Sequence, residues 1–232
     1  MMNDLLKIEQ EKSVLRWGGL AGILGSVLFI FAMIVVSVFV PPDPTELADW
    51  VMRFPDIRVI RIVENGIYLG ALILEIPLFL SLYFALRKTS LAPALFGSTF
   101  GILGLLSMMV SATPHVAHVS LSDLYHATGG VPPADLATLA ILWQATRGIF
   151  DAMLYIGFFV VPIGLIILGL GMFGTLGFGR SFSWTILALG VIGFIAAVFQ
   201  MIYPSSIIGV GSYFACLISY FVLGWKTYSL SK

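Results

Sequence analysis

The stretch WGGLAGILGSVLFIFAMIVVSVFV, Trp17 to Val40, contains no charged residue and no proline. A helix needs about 20 apolar residues to cross a bilayer, so this stretch reads as a transmembrane span. It is too long for a signal-peptide core and no small-residue cleavage site follows it, so a retained first span is expected. The rest of the 232-residue chain agrees. Hydrophobic residues make up 59% and charged ones 10%, with a mean hydropathy of +1.02. A soluble domain carries roughly 25% charged residues, so too little polar surface is left to coat a water-soluble globule. Twelve Lys and Arg against twelve Asp and Glu give no field to recruit nucleic acid. The single cysteine, Cys216, excludes an intrachain disulfide and a Cys-based zinc site.

Five further stretches meet the same length and polarity test: Ile62 to Leu86, Leu91 to Thr113, Ile149 to Phe173, Phe182 to Tyr203 and Ile207 to Trp225. The expected fold is therefore all-α, a polytopic membrane bundle of six transmembrane helices forming one domain over residues 17–228. Residues 1–16 precede it and 229–232 form a tail. With both termini cytoplasmic, Lys7, Lys12, Arg16, Arg87, Lys88, Arg180, Lys226 and Lys232 lie inside. Only Arg53, Arg58, Arg61 and Arg147 then lie outside, as the positive-inside rule requires.

Two long external loops follow, 41–61 and 114–146. In the first, Asp43, Pro44 and Glu46 resemble a helix start. Leu47, Trp50, Val51 and Phe54 recur at helical spacing before Pro55, which predicts a short helix lying on the outer leaflet and ended by that proline. In the second, Pro114 starts a helix, Gly129 and Gly130 stop it, and Pro132-Pro133 opens the next element.

The spans repeat one another. Gly18-x-x-x-Gly22-Ile23-Leu24-Gly25 in span one matches Gly97-x-x-x-Gly101-Ile102-Leu103-Gly104 in span three, with a weaker echo at Gly190-Val191-Ile192-Gly193 in span five. Glu64-x-x-x-Tyr68-Leu69-Gly70 in span two matches Asp151-x-x-x-Tyr155-Ile156-Gly157 in span four, and span six has Tyr213-Phe214-Ala215 at the comparable place. Odd spans end at Pro41, Pro114 and Pro204. Three tandem helical hairpins account for this, related by an axis along the membrane normal. Chance recurrence of Gly, Ile and Leu in an apolar chain is the alternative, and the Gly clusters need mean only close helix packing, within the chain or with a partner.

The order of spans, the run FFVVPIGLIILGLGMFG in span four and the following FSWTILALGVIGF resemble a group of bacterial multipass membrane proteins catalogued as domain of unknown function 4386. The resemblance covers about Leu15 to Trp225. It implies a multipass fold in a bacterial plasma membrane and no activity.

Ionisable groups inside spans are costly, roughly 2.5 to 3.5 kcal/mol each at the bilayer centre, and so point to function. Arg61, Glu64, Tyr68 and Glu75 fall on one face of span two, and Arg147, Asp151 and Tyr155 repeat the arrangement in span four. Arg61 with Glu64, and Arg147 with Asp151, could be local ion pairs at helix ends. Alternatively the two sets line a polar vestibule open to the outside. Glu75 lies deeper, with no basic residue at its level, and is expected to be protonated or hydrogen-bonded to Ser107 or Ser219. It is read either as a neutral link between two helices or as a proton or cation site.

All three histidines, His115, His118 and His126, fall in the second loop. Imidazoles one helical turn apart can ligate zinc, although His126 is about 12 Å from His118 along a helix; a wet helix face is the plainer account. No enzyme signature, phosphate-binding loop or nucleophile elbow is present. The leading expectation is binding or passage of a small solute or proton, with no cofactor. The alternatives are a metal-dependent hydrolase using the His-rich loop, and a non-catalytic subunit that joins partners or further copies through its Gly-rich helices.

Overall fold

A computed structural model of the chain describes residues 2–41, 44–127, 133–203, 208 and 210–232. Among the described residues there are seven α-helices and no strand: α1 Met2–Phe39, α2 Leu47–Leu86, α3 Leu91–Ser111, α4 Pro114–Ala127, α5 Pro133–Met172, α6 Arg180–Ile202 and α7 Val210–Leu230. Five of them, α1, α2, α3, α5 and α6, contain segments long and apolar enough to cross a membrane. The expected sixth span corresponds to α7. Its 21 residues are less apolar because Ser212, Ser219, Tyr220 and Thr227 are on it, and the bundle buries all four.

Close approaches fix the direction of each helix. Gly18, Gly22 and Gly25 of α1 meet Ser81, Leu78 and Glu75 of α2, so these helices run antiparallel. Gly97 and Gly104 of α3 meet Leu168 and Val161 of α5, Gly169 of α5 meets Leu187 of α6, and Gly193 of α6 meets Ala215 of α7. The circuit closes where Gly19 of α1 meets Tyr228 of α7. Six helices thus alternate up and down in a ring, with α2, α5 and α7 also touching one another while α1, α3 and α6 pack between them. Arg53, Arg58, Arg61 and Arg147 share the end of the bundle that carries α4. Arg87, Lys88 and Arg180 are at the opposite end, where Glu11 pairs with Arg87 at 2.8 Å and Lys88 at 2.6 Å.

Lipid tails are as apolar as leucine, so helices in a bilayer associate by close packing rather than by hydrophobic transfer. The glycines serve that need. A Cβ at Gly164 would lie 2.7 Å from both Gly101 N and Gly97 O, closer than any side chain can stand to backbone. The Gly-rich faces of α1, α3 and α6 are therefore occupied within the chain. Phe79, Leu105, Phe158, Leu165, Leu168 and Met172 fill the centre. Phe31, Ile34, Ile73, Leu103 and Ile195 point outward, as a lipid-facing surface would.

The two expected loops are corrected. Pro55 does not end a short surface helix; it lies inside the 40-residue α2. Proline within a helix costs about 3 kcal/mol, but the turns around it bury Val51, Phe54 and Ile57 in a satellite core with Trp143. Burying one large apolar side chain contributes roughly 1.5–3 kcal/mol, so three such residues outweigh the proline. Likewise α5 begins at Pro133 rather than at Ile149, continuing well beyond the apolar stretch. The segment 114–146 is thus mostly helix. Helix α4 starts at Pro114 as expected and lies against the extensions of α2 and α5, pinned on its exposed side by Arg58 to Asp123 at 2.7 Å. The expected cap Asp43 and the breakers Gly129, Gly130, Pro132 and Pro204 lie outside the described residues.

Candidate functional site

The extension of α2 matters because it carries one face of the helix across Pro55 without a break. Trp50, Phe54, Ile57, Arg61 and Glu64 follow one another at three- and four-residue steps and line one cavity of about 120 Å³ at the α4 end. Arg53, His118, Trp143, Arg147 and Phe150 complete it. Its aromatic wall is tightly built. His118 stacks on Trp143 at 4.0 Å with an interplanar angle of 8°, and Phe54 meets the same indole edge-on at 5.1 Å. The Arg147 guanidinium lies 4.3 Å from the centre of the Trp50 ring and that of Arg53 5.7 Å. Such contacts hold a guanidinium in place by its face.

A second cavity of about 390 Å³ opens between α1, α2, α5 and α7 and shares Arg61, Glu64 and Phe150 with the first. Asn65, Tyr68 and Tyr213 give it hydrogen-bonding groups; Phe29, Met33, Val36 and Leu154 make most of its remaining wall apolar. Arg61 and Glu64 approach to 3.7 Å, an ion-pair distance but too long for a hydrogen bond. Among the described residues Glu64 Oε2 is buried without a hydrogen-bond donor. The expected Arg61–Glu64 pair is thus present, but it stands at the junction of two cavities rather than sealing a helix end.

The deepest lining residues are Phe29 and Tyr68, whose rings are 5.7 Å apart. Tyr68 donates to Met108 O at 3.3 Å. From the other side, Gln200 of α6 stands close to Tyr155 of α5 and Tyr213 of α7, and Asp151 stands near both tyrosines. Tyr68 and Tyr213 are close enough to interact electrostatically. The tyrosines of all three inner helices therefore gather at one level. The vestibule expected between spans two and four is corrected: this cavity is walled by α1 and α7 as well, and Asp151 and Tyr155 are not among its lining residues but stand behind Tyr213, which is.

Glu75 lies seven residues below Tyr68, about 10 Å along α2, and is 1% exposed. Its expected partners are corrected. Ser107 donates to Met153 O at 2.8 Å and Ser219 to Ala215 O at 2.7 Å, so neither is available. Ser26 of α1 donates to Glu75 Oε1 at 3.4 Å, while its shorter bond, 2.8 Å, goes to Gly22 O. The carboxyl reaches across because Gly25 has no side chain; a Cβ there would meet Oε1 at 2.5 Å. Among the described residues Glu75 Oε2 has no hydrogen-bond partner, and neither has the buried hydroxyl of the adjacent Tyr220.

The histidines do not converge in the described structure. His118 Nε2 is 2.8 Å from Thr146 Oγ1, and His126 Nδ1 is 2.8 Å from Ser122 O. The side chain of His115 lies outside the described residues. Among the described residues no group of three or more His, Cys, Asp or Glu is placed to hold a metal ion.

Trp50, Arg53, Phe54, Trp143, Gln200 and Ser26 were not marked as site residues by the sequence. The signal for the first three was present in the helical spacing that continues through Pro55, and Trp143 precedes Arg147 by one turn. Nothing local in the sequence marks Gln200 or Ser26, which are brought in by helix pairing. Comparison with protein-family models, curated proteins and solved structures gives no match.

Proposed function

We propose that the protein binds or passes a small solute at an externally open cavity in a bacterial plasma membrane, with Glu75 beneath it as the group that exchanges a proton. The observation that carries this reading is the roughly 390 Å³ cavity between α1, α2, α5 and α7, where Arg61, Glu64, Asn65, Tyr68 and Tyr213 interrupt apolar walls. Solute sites have that character, mostly apolar with a few placed polar groups. Glu75 lies below the cavity floor, so a proton or solute reaching it has to pass the Phe29–Tyr68 contact. In this reading the chain is three tandem hairpins, α1–α2, α3–α5 and α6–α7, about an axis along the membrane normal. The inner position of α2, α5 and α7 and the gathering of Tyr68, Tyr155 and Tyr213 support it.

Orientation is testable first. Eight of twelve basic residues fall on the side assigned to the cytoplasm. A cysteine placed at Lys88 or Arg180 is expected to resist a membrane-impermeant thiol reagent in intact cells, while one at Glu46 reacts. Reaction at Arg180→Cys from outside reverses the orientation.

Cavity access is tested with the same reagent. The native thiol, Cys216, is buried and stays silent. Asn65→Cys, on the cavity wall, should be modified from outside, whereas Leu165→Cys, fully buried in the core, should not. An Asn65→Cys protein that stays unmodified in both intact cells and detergent would remove the open cavity and this function with it.

A further inference from the structure

At the end of the bundle opposite α4, helices α1 and α7 close the ring without a loop between them. Their backbones touch where Gly19 meets Tyr228 and Gly224 meets Ile23. One turn past that contact, a groove of about 390 Å³ runs along α1 beside Ser231, lined by Lys12, Ser13, Arg16, Trp17 and Leu20. Lys12, Ser13, Arg16 and Trp17 are exposed. Other bases at this end are answered by the chain itself. Arg87 and Lys88 pair with Glu11, and Lys226 and Lys232 stand over the rings of Phe182 and Tyr228. Among the described residues Lys12 and Arg16 have neither an ion pair nor a ring beneath them. Glu9 also borders the groove, about 10 Å along α1 from Arg16, and pairs with neither base. Trp17 marks a level in the bilayer. The chain carries charges up to Arg16 and none from Trp17 to Val40, and exposed indoles favour the headgroup boundary. Below it Leu24, Val27 and Phe31 continue the same exposed side of α1 as an apolar strip. Two cations thus stand directly above a surface suited to acyl chains.

We infer that the Lys12–Arg16–Trp17 groove holds the head of an anionic phospholipid, with its phosphate at the two bases and its acyl chains along the Leu24 side of α1. A guanidinium matches two phosphate oxygens at once and an ammonium adds a point charge. Basic groups at a bilayer surface draw anionic lipid for the same reason. A lipid seated there touches α1 and α7 together, so it ties two helices that no loop joins. Its leaflet is the one at the Arg87, Lys88 and Arg180 end, the cytoplasmic one in the orientation proposed above. The inference goes beyond the solute reading and does not depend on it.

The test titrates three lipids with the same dioleoyl chains and different heads into the full chain in dodecyl maltoside: phosphatidylglycerol, phosphatidylcholine and diacylglycerol. Binding is read as thermal stabilisation. Two bases at the head predict that phosphatidylglycerol binds at least roughly tenfold more tightly than phosphatidylcholine, and that diacylglycerol binds no better than phosphatidylcholine. The preference should vanish in a Lys12→Gln, Arg16→Gln double variant. It should persist in Lys88→Gln, Arg180→Gln, which removes as much charge from the same end outside the groove. Equal binding of phosphatidylglycerol and phosphatidylcholine to the unaltered chain would overturn the inference, whether or not either variant folds. A preference that survives in the first variant, or is lost equally in both, would reduce it to general surface charge and overturn the site. Glycerol 3-phosphate, a head without chains, should not stabilise at the same concentrations. Stabilisation by it as strong as by phosphatidylglycerol would make the occupant a soluble phosphate and overturn the lipid. None of these outcomes bears on the larger cavity, which Asn65→Cys tests separately.

Discussion

Gly164→Leu is expected to prevent assembly of the bundle, whereas Gly66→Leu, the same change on a neighbouring inner helix, leaves it whole. At Gly164 even a Cβ would stand 2.7 Å from two backbone atoms of α3, Gly101 N and Gly97 O. Backbone cannot swing aside as a flexible side chain can, so α3 and α5 would have to part along the most extensive helix pairing in the chain. Overpacking a core costs about 1–3 kcal/mol and occasionally more, and separation of two helices forfeits their dispersion contacts as well. At Gly66 nothing lies within 4 Å of the Cβ position, and leucine is a better helix former than glycine by up to about 1 kcal/mol. Size-exclusion profiles and melting curves in detergent check both. A monodisperse Gly164→Leu protein melting like the original would show that α3 and α5 do not approach so closely.

That contrast shows where the sequence is legible. The six apolar stretches could be found because lipid imposes a minimum length on each. The clusters Gly18–Gly25 and Gly97–Gly104 announced close packing, but not which helix each would meet. Gly101 turns out to face both Phe79 of α2 and Gly164 of α5, a fact of tertiary geometry with no local trace. Pro55 misled for a physical reason. Proline rules weigh a helix in isolation, whereas here the turns on either side of it pack Val51, Phe54 and Ile57 against Trp143. The apolar limit at Ile149 misled in the same way, since α5 continues to Pro133 by packing on α2 and α4 instead of on lipid.

The polar face of α2 was readable from spacing alone, because Arg61, Glu64, Tyr68 and Glu75 keep one side under any regular helix. Its partners were not. Ser26 reaches Glu75 only because Gly25 lets the carboxyl pass, and Gln200 comes close to two tyrosines from helices far apart in sequence. Sequence periodicity assigns residues to faces of a helix, and which faces meet depends on the packing of the other five.

Glu75 offers the second large effect, this time on function. Glu75→Gln and Glu75→Leu are both expected to fold and to melt within a few degrees of the original protein. The reason lies in Ser26. Its hydroxyl makes its shorter bond, 2.8 Å, to Gly22 O in its own helix and only a 3.4 Å contact to Glu75 Oε1. Removing the carboxyl therefore leaves the Ser26 donor satisfied, and it takes away Oε2, which is buried without a partner among the described residues. Replacing such a group by an apolar one of similar volume is near neutral or stabilising, whereas removing one member of a true pair costs about 1–3 kcal/mol. If Glu75 were a structural link, Gln would be harmless and Leu would lower the melting temperature. Proton-linked activity should respond in the opposite pattern, lost in both variants because neither side chain can carry the proton. Melting curves of the two variants in the same detergent separate these cases: a marked fall confined to Glu75→Leu would make the residue a helix tie, and parallel curves leave its carboxyl without a structural purpose at the foot of the larger cavity.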